Sequence, residues 1–311
     1  MRDKVRKLNI NGAFWGLLII CIIFSIASPS FLQGYNLMNI ARQCSINLIA
    51  AVGMTFVILT GGIDLSVGGV MALVGTITAS IISKGTNLGL CLLIGLLTGM
   101  VFGMFNGVCI AYAKIPPFIT TMATLSIARS IALMYSKGYP ITGLPASFAF
   151  IGTGNVLGIP VPVILAVVTV AFGIFILKKT VLGKYIYAIG GNEEATRLSG
   201  INVELWKISV YAIYGLLLGI AGIVLTARMN SGQPSAASGV ELDIIAAVVI
   251  GGTSLSGGEG GMAGTVIGTL VITVLNNGLT LMDVNPYLQG LIIGFVILGA
   301  VFIDKKKSKN V

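Results

Sequence analysis

Ten apolar stretches recur along the chain, near residues 10–28, 37–60, 64–83, 88–113, 117–136, 161–178, 208–228, 241–256, 261–281 and 287–303, with short polar breaks between them. Each is close to the roughly 20 residues that a helix needs to cross the hydrocarbon core of a bilayer. Ten such helices use about 200 positions. The pattern therefore predicts an all-α polytopic membrane protein, a single transmembrane domain over 1–311 with no room for a soluble one. One long charged connection, 179–207, joins the sixth and seventh stretches and contains NEEATRLSG at 192–200.

Composition agrees. The chain is 56% hydrophobic and 9% charged, with a mean hydropathy of +1.00, far from an ordinary soluble domain. A net charge of +9 could point to nucleic acid, but the basic residues form no single patch. With the N-terminus inside, Arg2, Lys4, Arg6, Lys7, Lys114, Lys178, Lys179, Lys184, Arg197, Lys207, Lys305, Lys306, Lys307 and Lys309 all fall on the cytoplasmic side. The opposite side holds Lys84, Lys137 and Arg228, and Arg42 and Arg129 fall within spans. This positive-inside bias places both termini in the cytoplasm. The partner it implies is membrane lipid, not nucleic acid.

Arg2–Lys7 followed by an apolar run resembles a signal peptide, with Ser25-Ile26-Ala27 as a loose cleavage site. The run is longer than a usual signal core, and its removal would leave an odd number of spans. It is expected to stay as the first helix. The four cysteines, Cys21, Cys44, Cys91 and Cys109, all fall in predicted helices as small buried apolar residues, and the chain has no His. No ligand set for zinc or haem is present.

Two glycine patterns need separate readings. Gly95, Gly99, Gly103 and Gly107 lie at four-residue intervals, on one helix face, where they allow close helix packing. Gly258, Gly260 and Ala263 match a relaxed dinucleotide fingerprint, with Asp283 beyond. That fingerprint requires a strand, turn and helix in a soluble unit, whereas here it joins two spans. More informative is a faint repeat. Ile49-Ala50-Ala51-Val52 leads to GGIDLSVGG at 61–69, and Ile245-Ala246-Ala247-Val248 leads to GGTSLSGGEGG at 251–261. Transporters are often built from repeats, with helices interrupted at corresponding places.

In the charged loop, Asn192 is a good helix N-cap. Glu193 and Glu194 fall in the first turn, where the helix dipole favours them, and Gly200 can end the helix in the left-handed conformation. A helix of about two turns is predicted on the cytoplasmic face, too short to be stable alone and so in need of a partner surface.

Glu194-Ala195-Thr196, with Gly200 beyond, resembles the EAAxxxG coupling motif of ABC importer permeases. Thr196 departs from it by replacing the second alanine, and no Ile-x-Leu-Pro follows. With VILTGGIDLSVGG at 57–69, YIYAIGGNEEATRLSGINV at 185–203, ELDIIAAVVIGGTSLSGGEG at 241–260 and LNNGL at 275–279, the chain resembles the ribose-type monosaccharide ABC transporter permeases over its whole length. The resemblance implies an importer subunit in a bacterial plasma (inner) membrane, paired as a homodimer. An ABC ATPase pair that binds ATP-Mg would lie below it and an extracytoplasmic sugar-binding protein above. It implies no cofactor and no catalysis in this chain. It also assigns ATPase coupling to Asn192, Glu193, Glu194, Ala195, Thr196 and Gly200.

Charge inside a membrane costs at least about 2.5–3.5 kcal/mol at the centre, so Asp64 and Arg129 are candidate pathway residues, with the adjacent amides Asn276 and Asn277. Asp64, with Ser66, fits the cap of the third helix better than a sugar contact. Arg129 could snorkel to the outer surface, and the asparagines could bond neighbouring helices. A different class, an ion-coupled secondary sugar carrier, stays open. The absence of His and of a clearly central acid argues against proton coupling, though not against sodium held by backbone carbonyls. Adjacent genes for a tandem ATPase and a secreted binding protein would favour the ABC reading.

Overall fold

The structure, a computed structural model, describes residues 2–308, with side chains over 12–299 and at 301 and 302. The basic side chains at both ends, on which the orientation of the termini rests, lie outside the described residues. Thirteen helices and one two-stranded hairpin occupy the described part. In order they are α1 (Arg2–Ala27), α2 (Gly34–Leu59), α3 (Val67–Ile82), α4 (Leu88–Ala111), α5 (Pro117–Ser136), α6 (Ala146–Thr153), the hairpin β1 (Asn155–Val156) and β2 (Ile159–Pro160), and α7 (Val161–Lys179). Then come α8 (Val181–Gly191), α9 (Glu193–Leu198), α10 (Val203–Met229), α11 (Val240–Ile250), α12 (Met262–Leu281) and α13 (Pro286–Ser308).

Every expected span coincides with a helix: α1–α5, α7 and α10–α13. Six of these (α2, α4, α5, α7, α10 and α12) are long and apolar enough to cross a membrane by length and composition. One boundary needs correction. The stretch 241–256 is helical only to Ile250, because Gly252, Gly257, Gly258 and Gly260 take positive φ and end the helix. Likewise 64–83 becomes helical only at Val67, after an irregular segment that begins with Gly61 at φ +79°. Both Ile-Ala-Ala-Val segments thus lie in helices that end at a Gly-Gly break, in α2 and in α11.

Two shortened helices, α3 of 16 residues and α11 of 11, meet inside the bundle. Along α3, Gly222 of α10 faces Met71 and Thr226 faces Gly75. The two helices therefore run parallel, and Val67 starts level with the middle of α10. After α10 the chain turns back along α3, with Gly232 against Gly75 and Thr76, and Ala237 against Gly68. Hence α11 begins beside the start of α3 and runs the other way. Such interrupted helices are tolerated at membrane depth only where protein encloses them.

The centre is α2 and α10, whose inner faces are fully buried. The glycine stripe of α4 packs on α10. A Cβ on Gly99 would collide with the Gly215 carbonyl, one on Gly103 with the Tyr211 carbonyl, and one on Gly107 would come to 2.8 Å from Ile208 Cα. Cys44 and Cys91 are buried, but Cys21 and Cys109 are only partly so. Exposed apolar side chains such as Ile26, Val101, Val167 and Phe295 clothe the outer helices, as expected of a surface in contact with lipid.

Candidate functional site

The charged loop contains two helices rather than one. Thr180 caps α8 by accepting from the Gly183 N–H at 3.2 Å, and α8 buries Gly183, Ile186 and Ile189 on one face. The predicted short helix is α9. Asn192 Oδ1 accepts from the Ala195 N–H at 2.8 Å, and Gly200 follows at φ +81°. Thr196 is buried, with its hydroxyl donating to the Asn192 carbonyl at 2.8 Å. That bond tightens the turn at the position where the motif would carry alanine. Asn192, Glu194 and Ala195 face solvent, and Leu198, 80% exposed, stands beside them.

Ion pairs moor α9 to the membrane helices. Glu193 is held by Lys207 of α10 at 2.5 Å and by Arg197 at 3.1 Å. Arg197 also reaches Glu194 at 2.9 Å and Glu204, at the start of α10, at 3.0 Å. Glu204 in turn pairs with Lys114 of the α4–α5 turn at 2.9 Å. Partial burial pushes the Glu193 carboxyl up, but Lys207 and Arg197 together overcome this and hold it below the ordinary glutamate range. Surface pairs are individually weak. Their value here is geometric: a helix of six residues is tied at both ends.

Beside this network lies an open cavity of about 490 Å³, lined by Thr60, Gly62, Lys114, Asn192, Lys207 and Tyr211 among others. It separates the ion pairs from the break that follows α2.

The four candidate pathway residues do not converge on one site. Asp64, 1% exposed, accepts at Oδ1 from the Ser66 N–H and hydroxyl, each at 2.6 Å, and at Oδ2 from Asn106 at 3.3 Å. Thr124 donates to Asn106, which extends this network to α5. Arg129 donates to the Pro234 and Ala236 carbonyls at 2.8 and 2.6 Å, which pins the returning segment before α11. Asn276 donates to Asp243 of α11 at 3.0 Å. Asn277 and Asn36 of α2 form a reciprocal amide pair at 2.9 and 3.0 Å. Each of the four stitches two segments together.

Lys114, Glu204, Lys207 and Leu198 escaped the sequence reading of this site. Glu204, as an acid in the first turn of α10 two residues after the cap Asn202, carried a local signal. The pairings did not, because Lys114 and Glu204 are 90 positions apart.

Residues 36–301 match the family described as branched-chain amino acid transport system / permease component. The ribose import permease protein RbsC of Bacillus subtilis (strain 168) is 50% identical over 299 residues, covering 96% of this chain and 93% of that protein. RbsC of Escherichia coli (strain K12) is 46% identical over 296 residues, covering 94% and 92%. The D-allose transport system permease protein AlsC of the same strain is 39% identical over 300 residues, covering 96% and 92%. No solved structure matches.

Proposed function

This chain belongs to the family of branched-chain amino acid transport system permease components, and on that premise we propose that it is the membrane-spanning subunit of an ATP-driven ABC importer of a monosaccharide, ribose or a close relative. The carrying observation is the gradient of likeness: 46–50% identity to ribose import permeases over nearly the whole chain, against 39% to the allose permease. The moored helix α9 supports the same reading, since a permease without its own ATPase needs a surface through which ATPase movement enters. Asn192, Glu194, Ala195 and Leu198 would face the ATPase, and Glu193, Thr196 and Gly200 would shape the helix. ATP-Mg is bound and hydrolysed by that partner, and the chain itself is not an enzyme.

A second permease chain completes the pathway as a homodimer, closed two-fold pairing being the commonest arrangement. A sugar-binding protein delivers cargo from outside, and both termini lie in the cytoplasm of a bacterial plasma membrane. Asp64, Arg129, Asn276 and Asn277 act here as helix-tying groups that shape the route, not as a shared sugar subsite.

The test is uptake by proteoliposomes holding the chain with its ATPase and binding protein. Labelled ribose should accumulate only with internal ATP, ahead of allose and xylose. Accumulation driven by a sodium gradient without ATP would instead establish the secondary carrier.

A further inference from the structure

Where α8 ends, three backbone segments meet without side chains between them. A Cβ on Gly190 would collide with the Leu59 carbonyl at the end of α2 and lie 2.5 Å from the Gly258 nitrogen. The Gly258 N–H donates to the same Leu59 carbonyl at 2.9 Å. Gly257 rests on the Gly190 backbone and on the Gly61 nitrogen, each position within about 3 Å of where its Cβ would stand. Three residues before Gly190, the Tyr187 hydroxyl donates to the Gly260 carbonyl at 3.0 Å. The segments are the break between α2 and α3, the break between α11 and α12, and the turn of helix just ahead of α9.

These breaks adjoin the two shortened helices that meet within the bundle. The first leads into α3 and the second follows α11, and their starts touch at Gly68, Ala237 and Glu241. Side-chain contacts can absorb a displacement by changing rotamer, whereas backbone packed on backbone has no such slack. α8 ends one residue short of α9, so a displacement of α9 passed along the chain to α8 would meet both breaks at once.

We propose that this glycine junction is the linkage through which ATPase movement reaches both interrupted helices, with Gly190 and Tyr187 as its positioning residues. The proposal rests on the ABC reading above and adds the route: α9 to α8, α8 through Gly190 to Leu59–Gly61 and Gly257–Gly258, and from there to α3 and α11. The ion network to Lys207 and Glu204 keeps α9 in register with α10 while α8 transmits the movement.

The experiment measures ATP hydrolysed per ribose imported, in proteoliposomes with the full importer. Gly190→Ala should raise that ratio at least about tenfold, equivalent to one decade of lost coupling. Gly191→Ala, one position along, adds a Cβ that meets nothing within 4 Å and should keep the wild-type ratio. Tyr187→Phe removes one hydrogen bond without adding bulk and should raise the ratio about fivefold, the factor a single hydrogen bond is worth. If Gly190 only supported folding, Gly190→Ala would lower the amount of assembled importer while each assembled molecule kept the wild-type ratio, and the proposal would be overturned. Should Gly190→Ala fail to reach the membrane, Tyr187→Phe decides: a raised ratio supports the linkage, an unchanged one overturns it. Wild-type vesicles with no ATP-dependent uptake would instead sink the ABC reading itself.

Discussion

Gly200 shows how a single dihedral can govern a contact surface. Its φ of +81° lies in the left-handed region, and no atom stands within 4 Å of where its Cβ would be. Substitution there is a backbone question, not a packing one. Valine should cost about 1–2 kcal/mol and redirect the chain between α9 and α10. Gly200→Val is expected to insert normally but to lose ribose uptake and sugar-stimulated ATP hydrolysis together. Gly200→Asn, which tolerates that region, should retain most of both. Uptake per inserted molecule is the measurement, and equal loss in the two variants would remove the dihedral argument. Glu193 gives a second prediction at this scale. Its carboxyl titrates below the ordinary value of about 4.3, so its stabilising charge is fully present above that value and is lost as pH falls through the lowered folded-state value. Hydrogen exchange of the α9 amides should be flat between pH 8 and pH 5 after correction for intrinsic rates, ranges that bracket the ordinary titration from above. The protection should drop only in stronger acid, and Glu193→Gln should shrink that step, leaving the part that belongs to Glu204, whose carboxyl Lys114 and Arg197 hold down to about 2.

Between α2 and α12, the Asn36–Asn277 pair separates two uses of an intramembrane amide. If Asn277 ties helices, Asn277→Leu should lower the thermal stability of the solubilised protein by about 1 kcal/mol, the usual size of such a bond in a membrane. Asn36→Leu added to it should cost about as much again, because Asn36 also donates to the Phe31 carbonyl at 2.9 Å and that bond is lost as well. Uptake should follow the amount of folded protein. Uptake that falls while stability holds would return Asn277 to the pathway. The two adjacent asparagines also show what the chain's local pattern could reveal. That both are polar in an apolar span was legible, but consecutive helical residues point about 100° apart, so Asn276 serves α11 and Asn277 serves α2. Which neighbour each meets depends on packing between elements distant in sequence. The same limit explains α11: the stretch 241–256 is apolar enough to suggest a span, but the returning segment before it and the positive-φ glycines from Gly252 onward confine the helix to 11 residues. The Asn192 cap, the left-handed Gly200 and the span positions were readable because each follows from residues within a few positions. The helix α8 was readable in principle from Thr180 and the buried residues Ile186 and Ile189, but its three glycines concealed it.

For the molecule as a whole, orientation is the property from which every partner assignment follows. The hairpin β1–β2 and the pair α8–α9 are separated by α7, whose 19 residues span about 28 Å at 1.5 Å per residue, close to the hydrocarbon thickness. With α7 as a span, they emerge on opposite faces. Leu157 at the hairpin turn is 98% exposed and Leu198 on α9 is 80% exposed, so each is a free reporter of its side. Lys178, Lys179, Lys184, Arg197 and Lys207 crowd the α8–α9 side, whereas the segment from Lys137 to the start of α7 carries no other basic residue. The positive-inside bias would then put Leu198 in the cytoplasm, where an ATPase could reach it, and Leu157 outside, where a binding protein could. In a variant with the four cysteines replaced, a cysteine at Leu157 should be labelled in intact spheroplasts by a membrane-impermeant maleimide. One at Leu198 should react only after the membrane is opened, and less so once the ATPase is bound. Labelling of both from the same side would exclude α7 as a span. A reversed pattern would place α9 beyond the reach of any cytoplasmic ATPase and remove the basis for coupling through it.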